Sequence, residues 1–118
     1  MEVVIYHNPA CGTSRKVLAA LQEAGRAPRI VEYLKTPPDR KTLKALLEKM
    51  GKNVREILRK RGTPYEELGL DDPALTDEQI FDAIETHPIL IERPIVVFGD
   101  RAALCRPAET VEALMAGA

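Results

Sequence analysis

Apolar and polar positions along the chain change period several times, and each change marks an element. Val3-Val4-Ile5 is a short β-branched run that predicts a buried strand near residues 3–6. The period then becomes helical. Val17, Leu18, Leu21 and Ala24 share one face, and Gly25 marks the stop of a helix near 13–24. Arg29-Ile30-Val31-Glu32-Tyr33-Leu34 reads as a second strand, and a crossover of that length predicts a parallel pair. Pro37-Pro38 breaks the pattern and opens a helical region that runs to about residue 86. Within it Leu43, Leu46, Leu47 and Met50 recur at helical spacing before Gly51. Asn53 with Glu56 resembles a helix start, with Val54, Ile57 and Leu58 as the apolar side and Gly62 beyond. Thr63-Pro64-Tyr65-Glu66 has the pattern of a capping box with proline at the first helical position. Thr76-Asp77-Glu78-Gln79 is another box, leading into Ile80, Ala83 and Ile84 before His87-Pro88.

The last third returns to strand periods. Ile95-Val96-Val97-Phe98 is a strand, Gly99-Asp100 a turn, and Ala102-Ala103-Leu104-Cys105 the returning strand. Pro107 is expected at the start of a final helix whose apolar side is Val111, Leu114 and Met115. The order βαβ, helices, ββα predicts an α/β fold.

Bulk properties narrow the function classes. At 118 residues the chain is expected to be one domain over 1–118, with a helical insertion at about 37–87. A formal charge of −1 supplies no basic field for nucleic acid or a membrane surface, so neither is expected as a partner. Apolar content of 45% is that of a folded globular chain. No apolar run reaches membrane-span length and no signal-peptide pattern opens the sequence. Two cysteines do not make a secreted disulfide scaffold, and a reducing, cytoplasmic setting is expected.

The chemistry concentrates in Tyr6-His7-Asn8-Pro9-Ala10-Cys11-Gly12-Thr13-Ser14-Arg15. Cys11 falls in a strand-to-helix turn, where unpaired backbone N–H groups and the positive end of the helix dipole favour thiolate. The N–H groups around Gly12 and Thr13 would hold an oxyanion beside the sulfur. The bland alternative, an inert packed cysteine, fits poorly among Asn8, Pro9, Gly12, Thr13 and Ser14, which are turn and cap residues. Ser14 stands where a dithiol enzyme has the second cysteine of C-x-x-C, so resolution by a disulfide within the turn is unavailable. Its hydroxyl either donates to the thiolate or caps the helix. Cys105 ends a strand beside residues that read as buried, and inert packing is its leading reading. No pair of histidines and cysteines has zinc-like spacing, and no metal is expected.

The segment H-N-P-A-C-G-T-S-R resembles the active-site segment of the glutaredoxin-linked arsenate reductases. P-I-L-I-E-R-P-I-V-V and L-C-R-P resemble the same family further along, in the same order, so that the likeness covers nearly the whole chain. It implies a thioredoxin-like core with a helical insertion between the second and third strands. The implied activity is reduction of arsenate to arsenite, a detoxification step in arsenic resistance. Glutathione is the implied co-substrate, glutaredoxin the implied partner, and no cofactor is bound. Cys11 is the implied nucleophile. Arg59, Arg93 and Arg106 match the family's oxyanion ligands, the first through the pattern V-R-x-x-L-R-K late in the second inserted helix. Their planar, always-charged forks suit a tetrahedral oxyanion. Pro94 matches the cis-proline of the thioredoxin-like fold, facing the active-site turn. His7 matches an electrostatic helper that keeps the thiol ionised, beside the alternative of a satisfied structural histidine. Two rivals stand beside this reading: an Spx-like regulator that binds RNA polymerase, and a related thiol oxidoreductase with another substrate.

Overall fold

The computed structural model describes residues 2–117. The expected domain, 1–118, includes Met1 and Ala118, which lie outside the described residues. Two compact units divide the chain: the stretches up to Thr36 and from Arg93 form one, and Pro37–Glu92 the other.

The first unit is built on a four-stranded mixed sheet in the order β2-β1-β3-β4. Strand β1 (Val3–His7) pairs parallel with β2 (Arg29–Glu32) and antiparallel with β3 (Ile95–Phe98), which pairs antiparallel with β4 (Arg101–Leu104). Helix α1 (Gly12–Glu23) makes the crossover between β1 and β2. Helix α4 (Thr110–Ala116) follows β4 and packs on it and on α1. The core alternates along the strands as the pleat requires: Val3, Ile5, Val96 and Phe98 meet Val17 and Leu21 of α1, and Val111 and Leu114 of α4, with Cys105 among them. The intervening positions Val4, Tyr6, Ile95 and Val97 are buried as well. That is why both central strands read as continuous apolar runs and do not alternate.

The second unit contains α2 (Arg40–Met50) and α3 (Asp77–Thr86), with 3₁₀ turns at Val54–Ile57 and Pro88–Leu90 that pack on α3. Helix α2 starts on the Asp39 carboxylate, which accepts from Thr42 N–H at 2.7 Å, and ends on Gly51 in the left-handed region at φ 66°. Helix α3 opens on the Thr76–Gln79 capping box, with both reciprocal bonds present.

Four boundaries differ from the sequence expectation. The second strand ends at Glu32 because the chain turns there ahead of Pro37-Pro38, with Lys35 and Thr36 N–H both donating to the Glu32 carbonyl. The Asn53–Glu56 capping box forms, but it starts only a 3₁₀ turn that stops at Ile57. Leu58 is extended and bridges Ile91, so Arg59 follows a strand-like bridge and does not sit on a helix. Thr63 does not close its box. Its hydroxyl donates back to the Arg59 carbonyl at 2.7 Å and accepts from Tyr65 N–H, leaving a series of turns in place of a helix. Arg55 then ties that irregular stretch down by donating to the carbonyls of Leu70, Asp72 and Leu75. Last, α4 begins at Thr110, because Pro107 opens a turn whose carbonyl accepts from Thr110 N–H.

Core packing sets an expected contrast. Leu21 is fully buried between sheet and helices, whereas Leu34 is 43% exposed. Leu21→Ala is expected to cost about 2–5 kcal/mol in urea unfolding followed by circular dichroism. Leu34→Ala should stay within about 0.5 kcal/mol of wild type.

Candidate active site

The turn between β1 and α1 is tied by a compact set of bonds. Asn8 is buried, and its Oδ1 accepts from Ala10 N–H at 2.9 Å while its carbonyl accepts from Cys11 N–H at 3.0 Å. Cys11 is the N-cap residue of α1, extended at φ −93° and ψ 122°. The first intrahelical bond runs from Arg15 N–H to the Cys11 carbonyl at 3.0 Å. The N–H groups of Gly12, Thr13 and Ser14 therefore precede the helical ladder, at the positive end of α1. Cys11 uses no side-chain cap bond, so its sulfur is not committed to stabilising the helix.

Ser14 corrects the expectation that its hydroxyl donates to the thiolate or caps the helix. The side chain is fully buried and turned inward: Oγ accepts from Asn8 N–H at 3.1 Å and shares a 2.6 Å hydrogen bond with His7 Nδ1. What Ser14 turns towards Cys11 is its backbone N–H, which lowers the pKa of the thiol. His7, buried at the end of β1, is held below its ordinary pKa. Burial does most of this, the Glu32 carboxylate opposes it, and the Arg15 guanidinium adds to it. The ring is therefore a buried imidazole with a hydrogen-bond partner in Ser14.

The cations come from the far ends of β3 and β4. Arg93 immediately precedes β3 and is buried, with 8% exposure, and the Arg93-Pro94 peptide bond is cis. Arg106 follows β4, and the Arg106-Pro107 bond is also cis. Arg106 Nη1 donates to the Arg93 carbonyl at 3.1 Å and lies 3.7 Å from Cys11 Sγ. Burial pushes the Cys11 thiol towards its neutral form. The Ser14 N–H, the hydrogen bonds from Arg93 and Arg106, and the Arg93 charge outweigh it and lower its pKa. A half-buried thiol with lowered pKa beside two guanidinium groups has the chemistry of an activated nucleophile next to anion donors.

The remaining predicted residues fall elsewhere. Arg59 belongs to the helical unit, where Nη1 pairs with Glu92 Oε1 at 2.9 Å and Nε donates to the Arg61 carbonyl at 3.0 Å. Cys105 is fully buried in the sheet core, and burial pushes its thiol up to about 12. Among the described residues, no group of three or more His, Cys, Asp or Glu side chains could hold a metal ion. Two residues were passed over as site residues. Asn8 was read only as a turn former, although Asn-Pro at a strand end is the signal for a side chain that bonds its own backbone two residues on. Arg15 closes the motif, and the sequence alone gives it no role. It lies four residues after Cys11, on the same side of the helix, and its guanidinium Nη1 donates to the Pro9 carbonyl at 2.8 Å.

Comparison with known proteins bears on this arrangement. The model of the ArsC family matches residues 6–114. An arsenate reductase of Rhizobium meliloti (strain 1021) is 54% identical over 111 residues, covering 94% of this chain and 79% of the relative. An arsenate reductase of Escherichia coli (strain K12) is 51% identical over 109 residues, covering 92% of this chain and 77% of the relative. The solved structure of an arsenate reductase from Vibrio cholerae superposes with a TM-score of 0.91 at 46% identity, covering 96% of this chain and 97% of its own.

The electrostatics predict strongly unequal thiols. Iodoacetamide at neutral pH should label Cys11 in the folded protein and leave Cys105 unmodified, as read by peptide mass spectrometry. Thiolate is the reacting form, and Arg106 stabilises it. Arg106→Gln should therefore move the pH midpoint of Cys11 labelling upwards. Equal labelling of both thiols, or an unmoved midpoint, would contradict this account of the site.

Proposed function

The chain belongs to the ArsC family, and from that premise we propose that it is an arsenate reductase that takes its two electrons from external thiols, glutathione and glutaredoxin. The observation that carries the reading is the Cys11 sulfur at the start of α1, 3.7 Å from Arg106 Nη1, with the Ser14 N–H and the Arg93 and Arg106 guanidinium groups all lowering its pKa. A thiolate with oxyanion donors beside it is what attack on arsenate requires.

The sequence of bonds follows from the thiol chemistry. Cys11 thiolate attacks arsenic and replaces one oxygen, which leaves as water. The arsenic stays in its oxidised state. Arg93 and Arg106, with the N–H groups of Gly12 and Thr13, neutralise the remaining oxygens and the charge that builds on them during attack. Arg59 is proposed as a third guanidinium ligand on the strength of the V-R-x-x-L-R-K resemblance. Glutathione replaces a second oxygen, again released as water. A glutaredoxin thiolate then attacks the glutathione sulfur, the electron pair of the sulfur–arsenic bond stays on arsenic, and a glutaredoxin–glutathione disulfide departs. Water cleaves the remaining Cys11–arsenic bond, giving arsenite and free thiol. The external thiols are required because position 14 carries serine and Cys105 is buried, leaving Cys11 no accessible internal partner. The same serine removes the C-x-x-C switch on which a redox regulator of this fold relies. Such a reaction belongs in a reducing, cytoplasmic compartment, and among the described residues no helix is long and apolar enough to cross a membrane.

The test is arsenate-dependent NADPH oxidation coupled through glutathione, glutaredoxin and glutathione reductase. Wild type should turn over, and Cys11→Ser should not. Arg→Lys at 59, 93 or 106 keeps the charge and loses the fork, a loss of about 1.5–3 kcal/mol, or roughly ten- to a hundredfold in kcat/KM. Wild-type kinetics in all three would move the anion site elsewhere. Turnover should need glutaredoxin and survive Cys105→Ala. Efficient turnover on thioredoxin alone, abolished by Cys105→Ala, would establish an internal relay and overturn the scheme.

A further inference from the structure

Arg15 is the one arginine of the active-site turn to which the mechanism gives no work. It sits four residues after the nucleophile, so its side chain leaves α1 on the Cys11 side and points back past the start of the helix. The observed contacts agree. Arg15 Nη1 donates to the Pro9 carbonyl at 2.8 Å, and Nη2 lies 3.7 Å from where a Cβ on Gly12 would stand. The guanidinium is thus held at the turn, on a residue that is itself exposed. Among the described residues no carboxylate forms an ion pair with it. Arg40, by contrast, is ion-paired to Glu78, Asp82 and Glu85, and Arg59 to Glu92. A planar cation, oriented by a backbone carbonyl and free of any carboxylate, is arranged to receive an anion from outside.

The question is which anion. Arg93 and Arg106 approach the sulfur from the ends of β3 and β4, where the proposed oxyanion would sit, whereas Arg15 is an exposed residue on the helix side of the turn. The second reactant, a thiol arriving from solvent at an arsenic already bonded to Cys11, comes in over that side. Glutathione is a net anion at neutral pH, its carboxylates outnumbering its ammonium group. We propose that Arg15 selects an anionic thiol as the second reactant at Cys11 by taking a carboxylate of glutathione on its outward N–H groups. The inference rests on the reading of the chain as a glutathione-dependent reductase, and it adds a residue that sets the choice of thiol.

The test separates the two ideas by leaving arsenic out. Cys11 thiolate attacks one sulfur of glutathione disulfide, forms a Cys11–glutathione disulfide and releases glutathione thiolate, an exchange that needs no further oxidant. Its rate, followed by intact-protein mass spectrometry, is compared with that for hydroxyethyl disulfide, which is neutral. Arg15→Gln should slow the reaction with glutathione disulfide roughly three- to tenfold and leave the neutral disulfide unaffected. Arg15→Lys should fall between, and added salt should erase the difference between wild type and Arg15→Gln. In the coupled assay the same variant should raise KM for glutathione and leave KM for arsenate unchanged. Equal slowing with both disulfides would mean that Arg15 only shapes the turn, and no slowing with either would remove it from the site. Both results overturn the proposal. A wild type that exchanges selectively with glutathione disulfide but never reduces arsenate would instead overturn the reductase reading and keep Arg15 as the selector.

Discussion

The arrangement depends on one balance, that between the cost of burying the Cys11 charge and the donors gathered to meet it. Alone, a half-buried thiol favours the protonated state. Here the Ser14 N–H and the guanidinium groups of Arg93 and Arg106 outweigh that cost and lower the pKa of the thiol. The sheet makes this possible, because antiparallel pairing of β1 with β3, and of β3 with β4, brings residues far apart in sequence to one end. Ile95 pairs with Tyr6 and with Leu104, so Arg93 and Arg106 flank a strand end whose neighbour leads into the Cys11 turn. The cations that lower the pKa of the sulfur have the planar forks that suit an oxyanion, so in the proposed reaction activation of the nucleophile and recognition of its target would be linked.

Beneath the turn, a second set of contacts fixes where the Ser14 N–H points. The inward Ser14 hydroxyl is held between Asn8 N–H and the neutral His7 ring, locking the first turn of α1 onto the end of β1. The polar residues of this motif divide the work by depth. Those turned inward set geometry, while Cys11 is half-buried and Arg15 exposed. Depth also separates the two cysteines. The Cys105 thiol is pushed up to about 12 by the same apolar core that stabilises the fold.

Much of this was legible in the sequence. The strands came through as β-branched runs, the Thr76 box announced α3, and the break from strand to helical period placed Cys11 at the start of α1. What escaped has physical causes. The V-R-x-x-L-R-K segment looks helical, but pairing of Leu58 with Ile91, far along the chain, pulls it extended after Ile57. Thr63-Pro64-Tyr65-Glu66 carries a capping signature, yet the Thr63 hydroxyl is taken by the preceding Arg59 carbonyl. Serine at position 14 is compatible with facing the sulfur or facing inward, and only the neighbouring imidazole decides between them.

The central claim is that cations and a helix N–H hold the Cys11 thiol below its ordinary pKa. The most direct measurement is the ultraviolet absorbance of the thiolate as a function of pH, taken as wild type minus Cys11→Ser. The account predicts a single transition for Cys11 with its midpoint below the ordinary thiol value, moved upwards when Arg93 is replaced by glutamine. A midpoint at or above the ordinary value, or one indifferent to the loss of Arg93, would contradict it.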